Sequence, residues 1–429
     1  MRSGFGVFYN PTTGFGPGTG SVGALSFDAA TPITTTIDGG RTPFATLSNP
    51  FPNGFNQPTN GTQGLLTFLG QSVNALDRGD RVPYSMQWNF DLQRELPGDM
   101  LLDVAYAGNS GVKLMAQSNY DQLPAVDLAL GAALNQSVTN PFFGIIPATS
   151  SIGQRTTTQG QLLRPYPQFT GVTHTWGSFA HSTYHSLQVK FRKRYRSGLQ
   201  LLGAYTWSKL LDDYSSVAGF LGQANPAYMD NNDLRADRSL SSLDIAHRLV
   251  VNYEYDLPFG KGRRFLNRGG ALGLLGGGWS LNGITTIQSG LPLNITSAAN
   301  TTNSFGGTQR PNSTGKSTVT AGSIEDRLNN YFDKTAFANP PAFTFGNLGR
   351  FLSDNRAPHL IVSDLSVIKS IRLGEKRHLD YRAELFNMFN HPSFMSPTGD
   401  GTVFGRPQFG VINSAEPARI IQMSLKLYF

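Results

Sequence analysis

The stretch Arg419-Ile420-Ile421-Gln422-Met423-Ser424-Leu425-Lys426-Leu427-Tyr428-Phe429 decides the fold. Ile421, Met423, Leu425, Leu427 and Phe429 alternate with Gln422, Ser424 and Lys426. A period of two sends successive side chains to opposite faces of a strand. A tilted strand needs about 9–11 residues to cross a bilayer, and this stretch has that length. One of its faces suits hydrocarbon and the other suits water.

The same pattern recurs upstream. Tyr84, Met86, Trp88, Phe90 and Leu92 alternate with Ser85, Gln87, Asn89, Asp91 and Gln93, and Leu96-Pro97-Gly98-Asp99 turns the chain. Met100, Leu102, Val104 and Tyr106 then return. Further hairpins turn at Ser197-Gly198, at Pro258-Phe259-Gly260-Lys261-Gly262 and at Leu373-Gly374-Glu375-Lys376. The expected strands lie near 2–10, 84–93, 100–108, 184–193, 199–209, 245–257, 279–288, 359–371, 378–390 and 419–429. Between them, 11–83, 109–180 and 290–358 read as long irregular loops.

Composition bounds the class. Only 15% of the 429 residues are charged, against about 25% in soluble proteins. No apolar run is long enough for a membrane helix, but a barrel strand needs only every second residue to be apolar. The absence of cysteine excludes disulfides, thiolate metal sites and cysteine nucleophiles. The opening Met1-Arg2-Ser3-Gly4-Phe5-Gly6 has no signal-peptide apolar core. The expectation is therefore the C-terminal portion of something longer.

Short turns and long loops alternate, which is the signature of an antiparallel transmembrane β-barrel with short periplasmic turns and long extracellular loops. A soluble sandwich or propeller also has short strands, but its long connections do not all fall at one end. The fold class expected is all-β: a barrel segment of about ten strands.

Several stretches resemble the barrel of TonB-dependent receptors of the Oar-like subclass. They are Ala204-Tyr205-Thr206-Trp207-Ser208-Lys209, Ala246-His247-Arg248, Leu257 through Gly262, and Arg382-Ala383-Glu384-Leu385-Phe386-Asn387-Met388-Phe389-Asn390-His391-Pro392. The final Phe429 resembles the C-terminal signal by which Gram-negative outer-membrane barrels are recognised for assembly. Leu425, Leu427, Tyr428 and Phe429 carry that resemblance. It spans most of 84–429 and implies that 1–429 is part of a receptor barrel whose plug and signal peptide are not in this chain. It implies uptake of a large nutrient such as a glycan, peptide or metal chelate. The implied partners are outer-membrane lipid, the barrel assembly machinery, and the TonB complex through an N-terminal part. A structural or adhesive barrel, or a secreted soluble β-protein, is the alternative.

The barrel reading assigns faces. Trp88, Tyr106, Trp207, Tyr253 and Trp279 are expected toward lipid, as interfacial aromatics. Asp91, Asp103, Lys190, Glu254, Asp364, Asp380, Arg382 and Glu384 are expected toward the lumen. The turns gather Arg192, Lys193, Arg194, Arg196, Lys261, Arg263, Arg264, Lys376 and Arg377, with Arg94, Arg268 and Arg372 beside them. Against these twelve cations stand Glu95, Asp99 and Glu375, in a chain whose net charge is +7. The expectation is a basic periplasmic rim facing anionic headgroups, and not a nucleic-acid surface.

No motif points to catalysis, a cofactor or a metal. Gly315-Lys316-Ser317-Thr318 ends like a phosphate-binding loop, but Arg310 stands where its first glycine belongs, and a flexible loop is expected. Gly14 through Gly18 contains Pro17 and leads into no helical pattern. His181 and His185 enter a strand, where four residues span about 13 Å, too far for one ion. Asp380, Arg382 and Glu384 alternate on one face with Asp364 opposite, a pattern expected for paired wall charges more than for acid–base chemistry. No Gly-x-Ser-x-Gly elbow occurs.

Overall fold

A computed structural model describes residues 1–10, 26–27, 29–75, 77–215, 227–267, 270–374 and 377–429. The run Gly14 to Gly18, Arg268, Glu375 and Lys376 lie outside them. Ten strands carry the main sheet: β1 (Arg2–Tyr9), β2 (Tyr84–Leu96), β3 (Met100–Asn119), β4 (Gly171–Arg196), β5 (Leu199–Asp212), β6 (His247–Asp256), β7 (Trp279–Gln288), β8 (Leu360–Arg372), β9 (His378–Phe386) and β10 (Ile420–Tyr428). Each pairs with its neighbours in chain order, and every pairing in this meander is antiparallel. Short strands Ser72–Ala75 and Ser239–Leu240 add to β4 and β5.

The register separates two faces. One row reads Leu201, Tyr253, Gly283, Leu365, Leu385 and Ile421 across β5 to β10. The next reads Gln200, Glu254, Asn282, Ser366, Glu384 and Gln422. A slip of one residue would exchange apolar for polar along every strand, so the alternation fixes the register. The turn between β4 and β5 agrees with it. Ser197 and Gly198 have φ of 54° and 82°, the two-residue left-handed turn whose twist matches the flanking strands.

Four expectations are corrected. β3 and β4 run well past the expected 100–108 and 184–193, so part of the supposed loop 109–180 is paired strand. Their outer halves lack a clean apolar period because that backbone no longer faces lipid, and register shifts near Gly111, Leu114 and Ala116 break the phase. β9 ends at Phe386 and not near 390: Asn387 and Asn390 adopt φ of 50° and 51°, which closes the strand. The β6–β7 link is no tight turn; it occupies 257–278 and holds a helix, α1 (Gly270–Gly276).

The fourth correction concerns the long connections. Residues 289–359 and 387–419 are irregular but packed. Leu293, Ile295, Tyr331, Phe332, Ala336, Phe337, Leu348, Leu352, Phe409 and Ile412 form their shared apolar core. Phe332 stacks on Phe409 at 5.1 Å. A smaller cluster joins Ala116 of β3 and Ala180 of β4 to Tyr228. Among the described residues, β1 and β10 are the sheet's two edges and do not pair with each other.

Candidate functional site

The polar face holds a cavity of about 520 Å³, lined by Gln200, Asn252, Glu254, Asn282, Asp364 and Glu384. Asn282 Oδ1 and Ser366 Oγ are buried there without a protein partner. The expected lumenal residues all share this face by register. Asp91 stands opposite Arg2, Asp103 opposite Lys190, and Asp380 opposite Lys426. Arg382 lies 3.5 Å from Glu384, and Ser370 Oγ donates to Asp380 at 2.7 Å. Asp364 accepts the Asn387 backbone N–H at 2.8 Å, so it anchors the turn after β9 and forms no dyad with Glu384.

The opposite face carries the five expected aromatics: Trp88, Tyr106 and Tyr253 pair with apolar residues or glycine, Trp207 with Leu187 and His247, and Trp279 with Lys369. Two of them lie over glycines. A Cβ on Gly108 would sit 2.3 Å from the Trp88 ring, and one on Gly283 would sit 2.3 Å from the Tyr253 ring. The cross-strand glycine is what lets each ring lie flat on the sheet. Tyr106 hydrogen-bonds His185 Nδ1 at 2.7 Å, and Tyr205 hydrogen-bonds His247 Nδ1 at 2.9 Å. Trp207 is exposed. Trp279 Nε1 donates to the Leu275 carbonyl at 2.9 Å. Leu425, Leu427 and Phe429 project from the same face, and Tyr428 from the polar one, opposite His378. His181 turns to Asp213 at 3.4 Å while His185 stacks on Tyr106, so the two histidines serve separate contacts.

The long connections converge at one end of the strands. Four arginine–aspartate pairs, three of them fully buried and that of Arg356 partly so, lock them there. Arg350 bonds Asp212 at the end of β5; Arg310 bonds Asp237; Arg356 lies 2.5 Å from Asp244; Arg164 lies 2.7 Å from Asp121. Three of the arginines come from 289–359 and meet aspartates of 212–244, so two separate connections are joined by charge. A fifth contact chains Tyr120 OH to His174 Nδ1 at 2.6 Å and His174 Nε2 to Asp80 at 2.7 Å. These partners are 43 to 138 residues apart in sequence, and no local signal announces them; only their burial does.

The short turns occupy the other end. Arg192, Lys193, Arg194 and Arg196 lie beside the 197–198 turn, Lys261, Arg263 and Arg264 in 257–278, and Arg377 before β9. Three of these cations are partly neutralised: Arg196 by Asp99 at 2.8 Å, Arg263 by Asp256 at 3.0 Å, and Arg194 by Glu95 at 3.8 Å. Asp256 is a carboxylate that the turn count from sequence left out.

An antiparallel wall with one apolar face, one polar face, short turns at one end and an ordered layer at the other is that of an outer-membrane β-barrel. The chain belongs to the outer membrane beta barrel domain family, whose model matches residues 1–422. It is an outer-membrane chain, with its short turns periplasmic and its long connections extracellular. No curated protein matches it. Among solved structures it is similar to the outer membrane transporter YddB from Escherichia coli, with 8% identity and a TM-score of 0.43, covering 83% of this chain and 34% of that one. It is similar to the pyoverdine outer membrane receptor FpvA from Pseudomonas aeruginosa, with 9% identity and a TM-score of 0.35, covering 82% and 30%. The siderophore receptor PirA from Acinetobacter baumannii matches at 8% identity and a TM-score of 0.36, covering 81% and 32%. The chain spans about a third of the length of these receptors.

Proposed function

We propose that this chain is part of the wall and outer cover of a TonB-dependent transporter that takes up a large nutrient. The observation that carries the reading is that, among the described residues, the edges β1 and β10 of a wall of membrane height are left unpaired. Every backbone polar group in a bilayer needs a partner, so an open edge calls for further strands. A wall enlarged in that way is wide enough to surround a plug. The motifs in β5, β6 and β9 support the family, and the charge-locked outer layer supplies a preformed surface on which a ligand could first settle. Active uptake requires the TonB complex, reached through an N-terminal part, and barrel insertion requires the assembly machinery. A structural or adhesive barrel is the competing reading, because an ordered outer layer also suits adhesion.

Energy dependence separates the two. Cells carrying or lacking the gene are given labelled ferric siderophores, oligosaccharides and long peptides, with and without a protonophore. The proposal expects accumulation of one class to need both the gene and the proton gradient. Equal accumulation of all three classes in both strains contradicts it.

A further inference from the structure

A hairpin of an outer-membrane barrel needs only a few residues at its periplasmic end, yet 257–278 carries a helix there. α1 reads Gly-Ala-Leu-Gly-Leu-Leu-Gly, and its Leu272, Leu274 and Leu275 are 66%, 51% and 69% exposed. The helix is fastened to the wall. Lys369 sits on the apolar face of β8, opposite Trp279, and is only 6% exposed. Its Nζ donates to the carbonyls of Leu274 at 2.6 Å, Leu275 at 3.3 Å and also Gly277. Those are the carbonyls that a helix end leaves without partners, and a cation there also meets the negative end of the helix dipole. Trp279 adds its indole N–H to Leu275 and its ring under the ammonium, at 5.3 Å. Both latching side chains belong to the lipid face, so α1 lies on the outside of the wall at its periplasmic rim.

Charge adjoins the apolar patch at the strand ends, where both faces of the wall meet: Asp256 and Arg372 come from the polar face, Trp279 and Ile371 from the apolar one. A cleft of about 580 Å³ between α1 and the strand ends is lined by Lys261, Arg263 and Arg372, with Asp256 as its carboxylate. Asp256 is engaged by Arg263 at 3.0 Å. Among the described residues, no carboxylate pairs with Lys261 or Arg372. Leucines continuous with a lipid-facing wall, beside two cations that no described carboxylate pairs with, match a leaflet with anionic headgroups.

We propose that α1, with the described residues beside it, is a membrane foot. Leu272, Leu274 and Leu275 enter the periplasmic leaflet, and the phosphate of an anionic phospholipid headgroup occupies the cleft of Lys261 and Arg372. Lys369 is a positioning residue that holds α1 at that depth. The inference rests on the outer-membrane location alone, so it stands whether or not the barrel transports anything.

The full chain is reconstituted in vesicles of phosphatidylethanolamine and phosphatidylglycerol. Leu275→Cys carries a nitroxide; the 429 residues hold no other cysteine, and the exposed site leaves the packing intact. Oxygen should relax the label strongly and a water-soluble nickel chelate weakly. In parallel, phosphatidylglycerol retained by the detergent-released protein is weighed by native mass spectrometry. Lys261→Gln with Arg372→Gln should retain at least tenfold less of it, with folding confirmed by resistance to heat in gels. A label as open to nickel as one on an extracellular loop overturns the foot. A deep label with undiminished phosphatidylglycerol, or equal retention of phosphatidylcholine, overturns the headgroup site.

Discussion

Asp354 gives Ser317 and Thr318 their role. It accepts the Thr318 N–H at 2.7 Å, the Thr318 hydroxyl at 2.8 Å and the Ser317 hydroxyl at 3.1 Å. The end of the supposed phosphate loop is thus pinned to a carboxylate, and the flexible loop expected from sequence is instead fixed. Partial burial pushes the Asp354 carboxyl up, but the bonds from Thr318 and Ser317 outweigh it and hold it below the ordinary aspartate value. A carboxyl lowered on folding stabilises above its unfolded value, about 3.9, and that contribution fades as pH falls through its folded value. Hydrogen exchange across 313–319 should therefore quicken, once corrected for intrinsic rates, as pH drops from 5 to 3. Asp354→Asn should quicken it at every pH, at a cost of about 1 kcal/mol in local opening. Protection unchanged in both would contradict the assignment. A carboxylate thirty-six residues from its partner has no signature in sequence, whereas the Trp88 and Tyr253 alternation was legible because each ring is part of its own strand's period.

At the scale of the element, β10 was legible for the same reason: both of its faces meet uniform surroundings, so its period is unbroken. Leu425 is paired with Tyr381 on the apolar face, and Ser424 with Arg382 on the polar one. An arginine near the bilayer midplane on the lipid face costs about 2–4 kcal/mol. Leu425→Arg should cut the heat-resistant folded fraction severalfold relative to Ser424→Arg, which adds a charge to a wall already bearing them. Equal folded fractions would invalidate the register. Elements without uniform surroundings were misjudged. The outer parts of β3 and β4 lost their apolar period outside the membrane, although backbone pairing continued. α1 was invisible because seven residues rich in glycine carry little helical signal; its position depends on Lys369, a contact 92 to 95 residues distant.

For the whole molecule, the pattern gave the meander, its order and its two ends, since each follows from local alternation and turn residues. It did not give the extracellular layer. That layer is stabilised by a core drawn from two connections and by buried arginine–aspartate pairs, and both join residues far apart in the chain. The proposed transporter rests on the edges that β1 and β10 leave unpaired among the described residues. Everything in this account depends on one placement, the apolar face in lipid and the polar face in a lumen. Single cysteines at 421 through 427, introduced one at a time into the cysteine-free chain and labelled with a nitroxide in outer-membrane vesicles, measure it directly. Oxygen should dominate relaxation at 421, 423, 425 and 427, and the nickel chelate at 422, 424 and 426. A flat profile along the strand, or the opposite phase, would contradict the account.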